Sequence, residues 1–513
     1  MRSLTPRDAA KWMPLVSGVL ILLFAAPVSA SVPPISLPGA PLPSPQGFWQ
    51  NPETVDIAPG NVDGWWPSLA VHPSGDAIVV WVQYGDRMDI WANRYVVGEG
   101  WGTPEVIDAN AEDARYPDVA MDDAGNAVAV WYQVDREGDV TRIDVWANRY
   151  GVGEGWGAAV RIGVDNLGYA MFPSVAVDAA GNAIAVWEQE LEQPGGPGDQ
   201  VWANRYVVGE GWGTPGPIGS DNRYVGSPDI AVDGDGNGIA VWSEWDAPSD
   251  SPYADAWYNR YVADDGWQGA TLLESYEEGN AAAPRVRSSR SGTALAAWSQ
   301  QDTVIGTCSC STLWARLYQP GSGWGAPERI SGPLAGFDLA IDDSGSAIAA
   351  WSEWLFEGGA ETGIAVRARR YQEGVGWGPV TPFEGVYGVS DVSVGMNAAG
   401  RGFVLYQEFR EIKAIQYVPG TGWTDPQVLQ HNQYLWGETD VGVDADGNAF
   451  AVWRGGNLEG KAERYDLFAS RFADAVVAAR PPFVPGEPLA DRWRHMGPAR
   501  GRGLDREGLR VVA

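Results

Sequence analysis

The stretch "DIWANRYVVGEGWGTPEVI" occupies residues 89–107, and nearly the same letters return twice further along the chain. The second copy, "DVWANRYGVGEGWGAAVRI", begins at Asp144, and the third, "QVWANRYVVGEGWGTPGPI", begins at Gln200. Close repetition at a fixed period of tens of residues is typical of proteins built from copies of one structural unit. The phrase therefore predicts a repeat architecture before any single residue is interpreted.

A second motif lies between these copies and predicts a hairpin. It reads "PSLAVHPSGDAIVVW" from Pro67 and "PSVAVDAAGNAIAVW" from Pro173, with short alternating segments on both sides of a glycine-containing turn. Eight copies can be traced, and their closing aromatic residues are spaced 47 to 56 residues apart. These residues are Trp81, Trp131, Trp187, Trp242, Trp298, Trp351, Tyr406 and Trp453.

Each copy predicts four antiparallel strands. The hairpin supplies the first two strands, and "IWANRY" alternates Trp91, Asn93 and Tyr95 with the other side chains, as a third strand does. After the turn "VGEGW", the segment "PEVI" supplies the fourth. Four such strands in about 50 residues are typical of one blade of a β-propeller, and a helical apolar period is missing.

The two ends of the repeat array complement each other. The last copy stops at Phe472 without a fourth strand, whereas "GFWQNPETVDI" at residues 47–57 matches that strand, with Trp49 in the place of Trp101. We therefore predict an all-β fold over residues 47–473, a single closed β-propeller of eight four-stranded blades. The N-terminal strand would complete the last blade and remove the exposed edge of an open array.

Residues 1–30 have the three parts of a secretory signal peptide: basic residues, an apolar run and small residues ending at Ala30. The run of about 14 apolar residues is short for a bilayer span, which needs roughly 20. We expect cleavage near Ala30, a secreted or periplasmic location, and no membrane span in the mature protein. Residues 31–46 form a Pro-rich leader, and residues 474–513, rich in Arg, Pro and Gly, are predicted to be a disordered tail.

The chain carries a formal net charge of −31, from 66 acidic and 35 basic residues. Nucleic acids and anionic membrane surfaces would be repelled by this charge, which argues against both as partners. An acidic surface of this kind is typical of a protein kept soluble by its charge. We expect a monomer.

Cys308 and Cys310 are the only cysteines, and in an oxidising compartment they predict a local disulfide, with a metal site or a redox-active pair as alternatives. Of the three histidines, His72 lies in a turn, His431 in a connection between repeat units and His495 in the tail, so they predict neither a zinc site nor a catalytic triad. Turns such as the one containing Asp233 and Asp235 resemble fragments of a calcium loop but lack its later ligands. We expect no metal and no cofactor, with calcium at these turns as the alternative. The corresponding aspartates of the last copy are Asp444 and Asp446.

Residues that recur in every copy are expected to be structural. The repeated tryptophans predict packing between blades, and Arg94 and its equivalents predict ion pairs. A Gln or Glu two positions after the closing aromatic residue, as at Gln83, predicts a structural hydrogen bond. The alternatives are a carbohydrate platform of tryptophans and a polar, acidic funnel.

Features that break the repeat are better candidates for a binding site, because loops on a rigid scaffold commonly carry function. Two loops between the second and third strands are long and acidic, and two connections before first strands carry extra aromatic residues. All of these emerge on the same rim because strands alternate in direction. We predict a ligand-binding rim, without assigned catalytic residues, made of Trp65, Glu244, Trp245, Glu353, Trp354 and Trp436.

The repeated "AVW", "WANRY" and "GW" motifs of the chain resemble those of exported bacterial proteins built from repeated propeller blades, and the resemblance covers residues 47–472. The resemblance implies the architecture and no defined activity. The turn is also faintly similar to the Asp-box of sialidase propellers, but it lacks the leading Ser and the short Gly-to-Trp spacing, so no catalytic residue carries over. We expect an exported binding module for a glycan or protein ligand. The alternatives are a glycoside hydrolase or lyase that uses rim carboxylates, and a non-catalytic structural protein of the envelope.

Overall fold

The computed structural model describes residues 47–56, 63–108, 112–137, 140–164, 168–191, 198–220, 224–245, 253–275, 279–305, 308–385, 389–431, 435–457 and 464–474. Over these ranges the protein is all-β and contains no helix. No helix capable of crossing a membrane is found in the described part of the chain. The predicted signal peptide and leader lie outside the described residues, as does the predicted tail after Asp474.

The first half of the described chain forms β1 (Gly47–Trp49), β2 (Glu53–Thr54), β3 (Asp63–Val71), β4 (Ala77–Tyr84), β5 (Met88–Val96), β6 (Gly100–Trp101), β7 (Glu105–Val106), β8 (Ala114–Met121), β9 (Ala127–Glu137), β10 (Val140–Gly151), β11 (Gly155–Trp156), β12 (Val160–Arg161), β13 (Ala170–Val177), β14 (Ala183–Leu191), β15 (Gly198–Val207), β16 (Gly211–Trp212), β17 (Gly216–Pro217), β18 (Tyr224–Val232), β19 (Gly238–Trp245), β20 (Asp255–Val262), β21 (Gly266–Trp267) and β22 (Thr271–Leu272).

The second half forms β23 (Ala281–Ser288), β24 (Ala294–Ile305), β25 (Cys308–Gln319), β26 (Gly323–Trp324), β27 (Glu328–Ile341), β28 (Ala347–Glu357), β29 (Ala360–Gln372), β30 (Gly376–Trp377), β31 (Thr381–Gly385), β32 (Val389–Met396), β33 (Gly402–Glu408), β34 (Glu411–Val418), β35 (Gly422–Trp423), β36 (Gln427–His431), β37 (Leu435–Val443), β38 (Ala449–Asn457) and β39 (Arg464–Asp474).

Each repeat unit folds as the predicted antiparallel arrangement of four strands. In the first complete unit, β3, β4 and β5 pair in sequence order, and the fourth strand is split into β6 and β7, which both pair with β5. The described strands form seven sheets, of which the largest has nine strands. That sheet contains two units because β27 is one continuous strand, which pairs with β25 as the fourth strand of one unit and with β28 as the first strand of the next.

The N-terminal strands belong to the last sheet. β1 and β2 both pair with β39, which is followed in the sheet by β38 and β37. Trp49 lies opposite Phe472, and Thr54 lies opposite Phe468. This register repeats the one by which β6 and β7 pair with β5. The segment therefore supplies the fourth strand that the last repeat lacks.

The second strand of each unit forms the core. Along β4 every residue from Ala77 to Gln83 is buried, because neighbouring sheets cover both of its faces. Ile78 and Val80 pack with Val119 and Trp131 of the next unit. All eight closing aromatic residues are no more than 1% exposed, which agrees with their predicted packing role.

Asp and Asn side chains together with a glycine build the turn between the first and second strands. Asp122 Oδ1 accepts hydrogen bonds from the backbone N–H groups of Ala124 (2.9 Å) and Asn126 (2.8 Å), and Oδ2 accepts one from the Asn126 side chain (2.8 Å). Gly125 has a φ of 82°, in the left-handed region that favours glycine. The same side-chain pattern recurs at Asp178, Asp233 and Asp444.

The "WANRY" phrase ties each unit to both neighbours. Asn148 donates a hydrogen bond from its side chain to the carbonyl oxygen of Ile107 in the preceding unit, at 2.9 Å. The Arg149 guanidinium lies 5.7 Å from the ring centroid of Tyr206 in the following unit, within the range of a cation–π contact. Arginine in this phrase therefore acts through an aromatic ring as well as through ion pairs. Equivalent stacks join Arg94 to Tyr150, Arg205 to Tyr261 and Arg260 to Tyr318.

Candidate functional site

The two predicted sources of rim residues do emerge at one edge. In β3 and β4, Asp63 lies opposite Tyr84 and Trp65 lies opposite Val82. The first strand therefore begins where the second strand ends. The connection before a first strand and the loop after a second strand meet at this edge in every unit with the same pairing.

Two of the predicted rim residues are acceptors for buried indoles. Glu244 is fully buried, and Trp242 donates its indole N–H to Oε2 at 2.9 Å. Glu353 accepts the indole N–H of Trp351 at 3.0 Å. Glutamines make the same bond in other units, as Gln189 does with Trp187 at 3.2 Å. The burial of Glu244 places its carboxylate beneath the rim, out of reach of a ligand in solution.

The other predicted rim residues lie in strands, whereas the sequence suggested loops. Trp245 is the last residue of β19, is half-buried, and stacks on Tyr224 with ring centroids 6.2 Å apart. Trp354 is a half-buried residue of β28, opposite Ile364, because β28 and β29 continue as one long hairpin. Trp436 lies in β37, and its side chain is outside the described residues. Residues 246–252, predicted as a rim loop, are also outside.

A β-bulge interrupts most of the first strands near this edge, and it places one residue of each in a left-handed conformation. In the first complete unit, pairing shifts between Trp65 and Ser68, and Trp66 has a φ of 50°. Non-glycine residues adopt this conformation at a cost of order 1–3 kcal/mol, and such residues concentrate at functional sites. The other bulge residues with positive φ are Tyr116, Phe172, Ser227, Ala283 and Glu438.

The bulge residues of three successive units are aromatic and touch one another. The rings of Trp66 and Tyr116 are stacked with centroids 4.2 Å apart, and Phe172 meets Tyr116 edge-on at 4.9 Å. Trp65 adds a tilted ring 5.7 Å from Trp66. We call Trp65, Trp66, Tyr116 and Phe172 the aromatic array; all four are half-buried. Of these four residues the sequence pattern indicates only Trp65, because the array depends on bulges in separate units.

At one end of the array lies a charged pair contributed by the last unit. Glu438 Oε2 accepts the backbone N–H of Trp66 at 2.9 Å, and its Oε1 lies 3.7 Å from Nη1 of Arg454. The Arg454 guanidinium lies 3.6 Å from the ring centroid of Trp65 and 4.4 Å from that of Tyr465. We call Trp65, Trp66, Glu438, Arg454 and Tyr465 the seam site, because residues of the first and last units meet there.

Carboxyl groups near the array have raised pKa values. Burial, followed by the influence of Asp391, raises the pKa of Glu438 to about 7, against the lowering effect of Arg454. Burial also raises the pKa of Glu188 to about 8, and this carboxylate accepts the backbone N–H of Ser227 at 2.9 Å. Both residues keep part of their surface exposed. Desolvated carboxyl groups with raised pKa values are commonly found at functional sites.

A belt of aspartates joins successive first strands deeper in the protein. Asp118 accepts the backbone N–H of Val175 at 2.9 Å, and Asp440 accepts that of Leu69 at 2.8 Å. Burial raises the pKa of Asp118, and it raises that of Asp440 to about 7. Arg287 donates from Nη1 to Asp229 at 2.9 Å and from Nη2 to Asp338 at 3.4 Å, so one unit supplies a cation to the belt.

Among the described residues, no group of three or more His, Cys, Asp or Glu side chains is arranged to hold a metal ion. At the turn that resembles a calcium loop, Asp233 already accepts the N–H groups of Asp235 and Asn237, both at 2.9 Å. Cys310 is disulfide-bonded. The chain offers Cys308 as its only other cysteine.

No protein family model matches the chain, and no curated protein matches it. Solved structures to which the chain is similar include a protein of unknown function from Dyadobacter fermentans, at a TM-score of 0.42 and 11% identity, covering 84% of this chain and 100% of that one. The polysaccharide lyase Uly1 is similar at a TM-score of 0.44 and 12% identity, and the match covers 74% of this chain and 93% of the lyase. A Penicillium chrysogenum α-L-arabinanase is similar at a TM-score of 0.39 and 15% identity, and the match covers 62% of this chain and 98% of the arabinanase. Similarity at this level assigns neither a family nor an activity.

Proposed function

We propose that the chain is an exported, monomeric, eight-bladed β-propeller, closed by its N-terminal strand, that binds a glycan at the aromatic array and seam site. Closure is supported by contacts that join the last unit to the first as internal units are joined. Asn93 donates to the carbonyl of Val55 at 3.1 Å, and the Arg471 guanidinium lies 5.9 Å from the Tyr95 ring. The export signal in residues 1–30 supports a secreted or periplasmic location.

The observation that carries the proposed binding function is the break in symmetry at the aromatic array and seam site. Repeated positions elsewhere serve packing, but here three aromatic bulge residues in a row adjoin Glu438 and Arg454. Ligand sites combine apolar and aromatic walls with a few placed polar groups. Sugar rings match such a wall, because they present an apolar C–H face together with hydroxyl groups that donate and accept hydrogen bonds.

Binding is favoured over catalysis by the roles of the rim carboxylates. Glu244 and Glu353, the predicted candidates for a hydrolase or lyase, both accept buried indole N–H groups. One oxygen of each carboxylate therefore serves a structural hydrogen bond to the core. No cofactor is proposed.

A glycan array with protein of residues 31–513 tests the proposal. We expect saturable binding that is lost in Tyr116→Ala, because this change opens the middle of the aromatic array. Glu99→Gln is the control, since Glu99 is exposed in the turn after β5, at the other end of the strands. Absence of glycan binding, or binding that Tyr116→Ala leaves unchanged, would overturn the proposal. Capture of a protein partner alone would support the envelope role instead.

A further inference from the structure

Arg454 has no counterpart in the other repeat units. It directly follows the closing aromatic residue Trp453, a place occupied elsewhere by uncharged residues or, in one unit, by an acid. Those residues are Val82, Tyr132, Glu188, Ser243, Ser299, Ser352 and Gln407. A single arginine at a repeated position points to a local task, since the fold forms without it in seven units.

The environment of Arg454 holds the guanidinium in place but does not satisfy all of its donors. The residue is only 4% exposed, and it is held between the rings of Trp65 and Tyr465. Among the described residues, Nε has no hydrogen-bond partner. The closest approach to Glu438, 3.7 Å from Nη1 to Oε1, is longer than a hydrogen bond. Burying an unsatisfied donor of a charged group is costly, and an acceptor that a ligand brings beside Glu438 would offset part of this cost.

The Glu438 carboxylate supplies the complementary chemistry beside it. One oxygen is held by the N–H of Trp66 at 2.9 Å, and the other faces Arg454. Glu438 is half-buried, and its backbone N–H is in turn fixed by Asp391 at 2.8 Å. A fixed donor thus lies next to a fixed acceptor, at the end of an aromatic wall.

Resting on the proposed function, we infer that Arg454 and Glu438 together bind two hydroxyl groups on adjacent carbons of an uncharged sugar. Arg454 donates a hydrogen bond to the oxygen of one hydroxyl, and Glu438 accepts a hydrogen bond from the O–H of its neighbour. The C–H face of the same ring lies against the aromatic array. Arginine suits this task because its planar group presents several donors in a fixed geometry.

The local charges favour an uncharged ligand over a charged one. A sugar carboxylate would approach Glu438, and both Asp391 and Asp63 lie close enough to act electrostatically on the seam site. A protonated amino sugar would meet the Arg454 guanidinium. A neutral diol satisfies both members of the pair without adding a like charge.

Isothermal titration with three matched sets of oligosaccharides tests the inference: neutral, uronate-containing and fully deacetylated amino sugars. We expect the neutral set to bind best, and the deoxy analogue that lacks either hydroxyl of the pair to bind at least tenfold more weakly. This comparison uses the unaltered protein, so it does not depend on the folding of a variant.

Arg454→Met and Glu438→Gln provide the second arm. Each is expected to weaken binding of the neutral set about tenfold or more, whereas Arg136→Met, a change at an arginine whose side chain is 60% exposed, should have no effect. Preference for a charged set, or full affinity in both seam-site variants, would overturn this inference while leaving glycan binding at the aromatic array intact. Absence of binding to any of the sets and to the glycan array would remove the proposed function itself.

Discussion

Asn93 donates a hydrogen bond from its side chain to the backbone carbonyl of Val55, 3.1 Å away. Val55 follows β2, which pairs with the last strand β39, so this bond joins the first complete unit to the last one. Asn148 makes the same bond to Ile107 between two internal units. The junction at the chain ends is therefore built like a junction within the array.

Deletion of residues 47–56 is expected to destabilise the protein strongly. The deletion removes buried Val55 and the contacts of Trp49 with Phe403 and Phe472, and it exposes β39 as an edge strand. We expect a loss of about 4 kcal/mol or more in the free energy of unfolding, measured by urea denaturation. Removal of residues 1–46 is the control, and equal stability of the two truncated proteins would reject the closing role.

Gln189→Leu should destabilise the protein by about 1–3 kcal/mol, because it leaves the indole N–H of Trp187 buried without an acceptor. The measurement is the urea midpoint. In Glu244→Gln the acceptor of Trp242 is kept, and we expect stability within about 1 kcal/mol of the parent. A double change, Trp187→Phe with Gln189→Leu, should cost less than the sum of the single changes, and strict additivity would contradict the proposed coupling.

Tyr206→Leu is expected to lower stability by about 1–2 kcal/mol, through the lost stack with Arg149 and the lost edge contact with Trp212. Tyr206→Phe retains the ring and should be close to the parent in thermal denaturation. Equal midpoints for the two variants would show that the ring contributes nothing across this junction.

Stability should fall as the pH rises from about 4 to 8. Burial raises the pKa of Asp440 to about 7, so between its usual pKa near 4 and this value the folded state binds the proton more tightly than the unfolded state. Each such group lowers stability by up to about 1.4 kcal/mol per pH unit in this window. The raised pKa of Glu438 likewise lowers stability as the pH rises.

Urea denaturation at pH 5 and pH 8 measures this slope. Asp440→Asn removes one titrating group and should give a shallower fall, whereas Asp235→Asn, at an exposed turn residue, should keep the slope of the parent. If Asp440→Asn and the parent protein lose stability equally between pH 5 and pH 8, Asp440 is excluded as a source of the pH dependence.

Chelation of divalent cations is expected to leave the melting temperature unchanged. Both carboxylate oxygens of Asp233 accept hydrogen bonds from its own turn, and those of Asp444 do so as well. A turn already satisfied in this way needs no ion. A melting temperature that drops with chelator and returns with calcium would reinstate the calcium interpretation of these turns.

The strands and turns of each unit could be predicted because their sequence pattern occurs in eight copies. Alternation in "IWANRY" and the glycine turns fix the strands of each unit, and the match of residues 47–57 to "EGWGTPEVIDA" indicated which strand pairs with β39. The structural roles predicted for Trp81 and Gln83 follow from the same logic, and their side chains are bonded at 2.9 Å. Comparison of the copies separates residues that vary from those that recur, and the recurring residues are the ones that packing requires.

The candidate site was harder to predict because it depends on exceptions to the repeat. Glu244 looked like a rim acid from its place after a second strand, but the direction of its side chain buries it under Trp242. The sequence pattern does not indicate Tyr116 and Phe172 as site residues, because the bulges that bring their rings together cannot be read from it. Trp354 was expected in a loop, but β28 continues through it.

The sequence by itself determined an all-β repeat of four-stranded units and the complementarity of its two ends, because strand alternation, turns and periodic aromatic residues are local properties. Only the tertiary structure decided that Trp65 and Trp66 meet Glu438 and Arg454, which are more than 370 residues away along the chain. Contacts at that separation arise from the way the last unit packs against the first. No local pattern encodes them, and the proposed site is built from them.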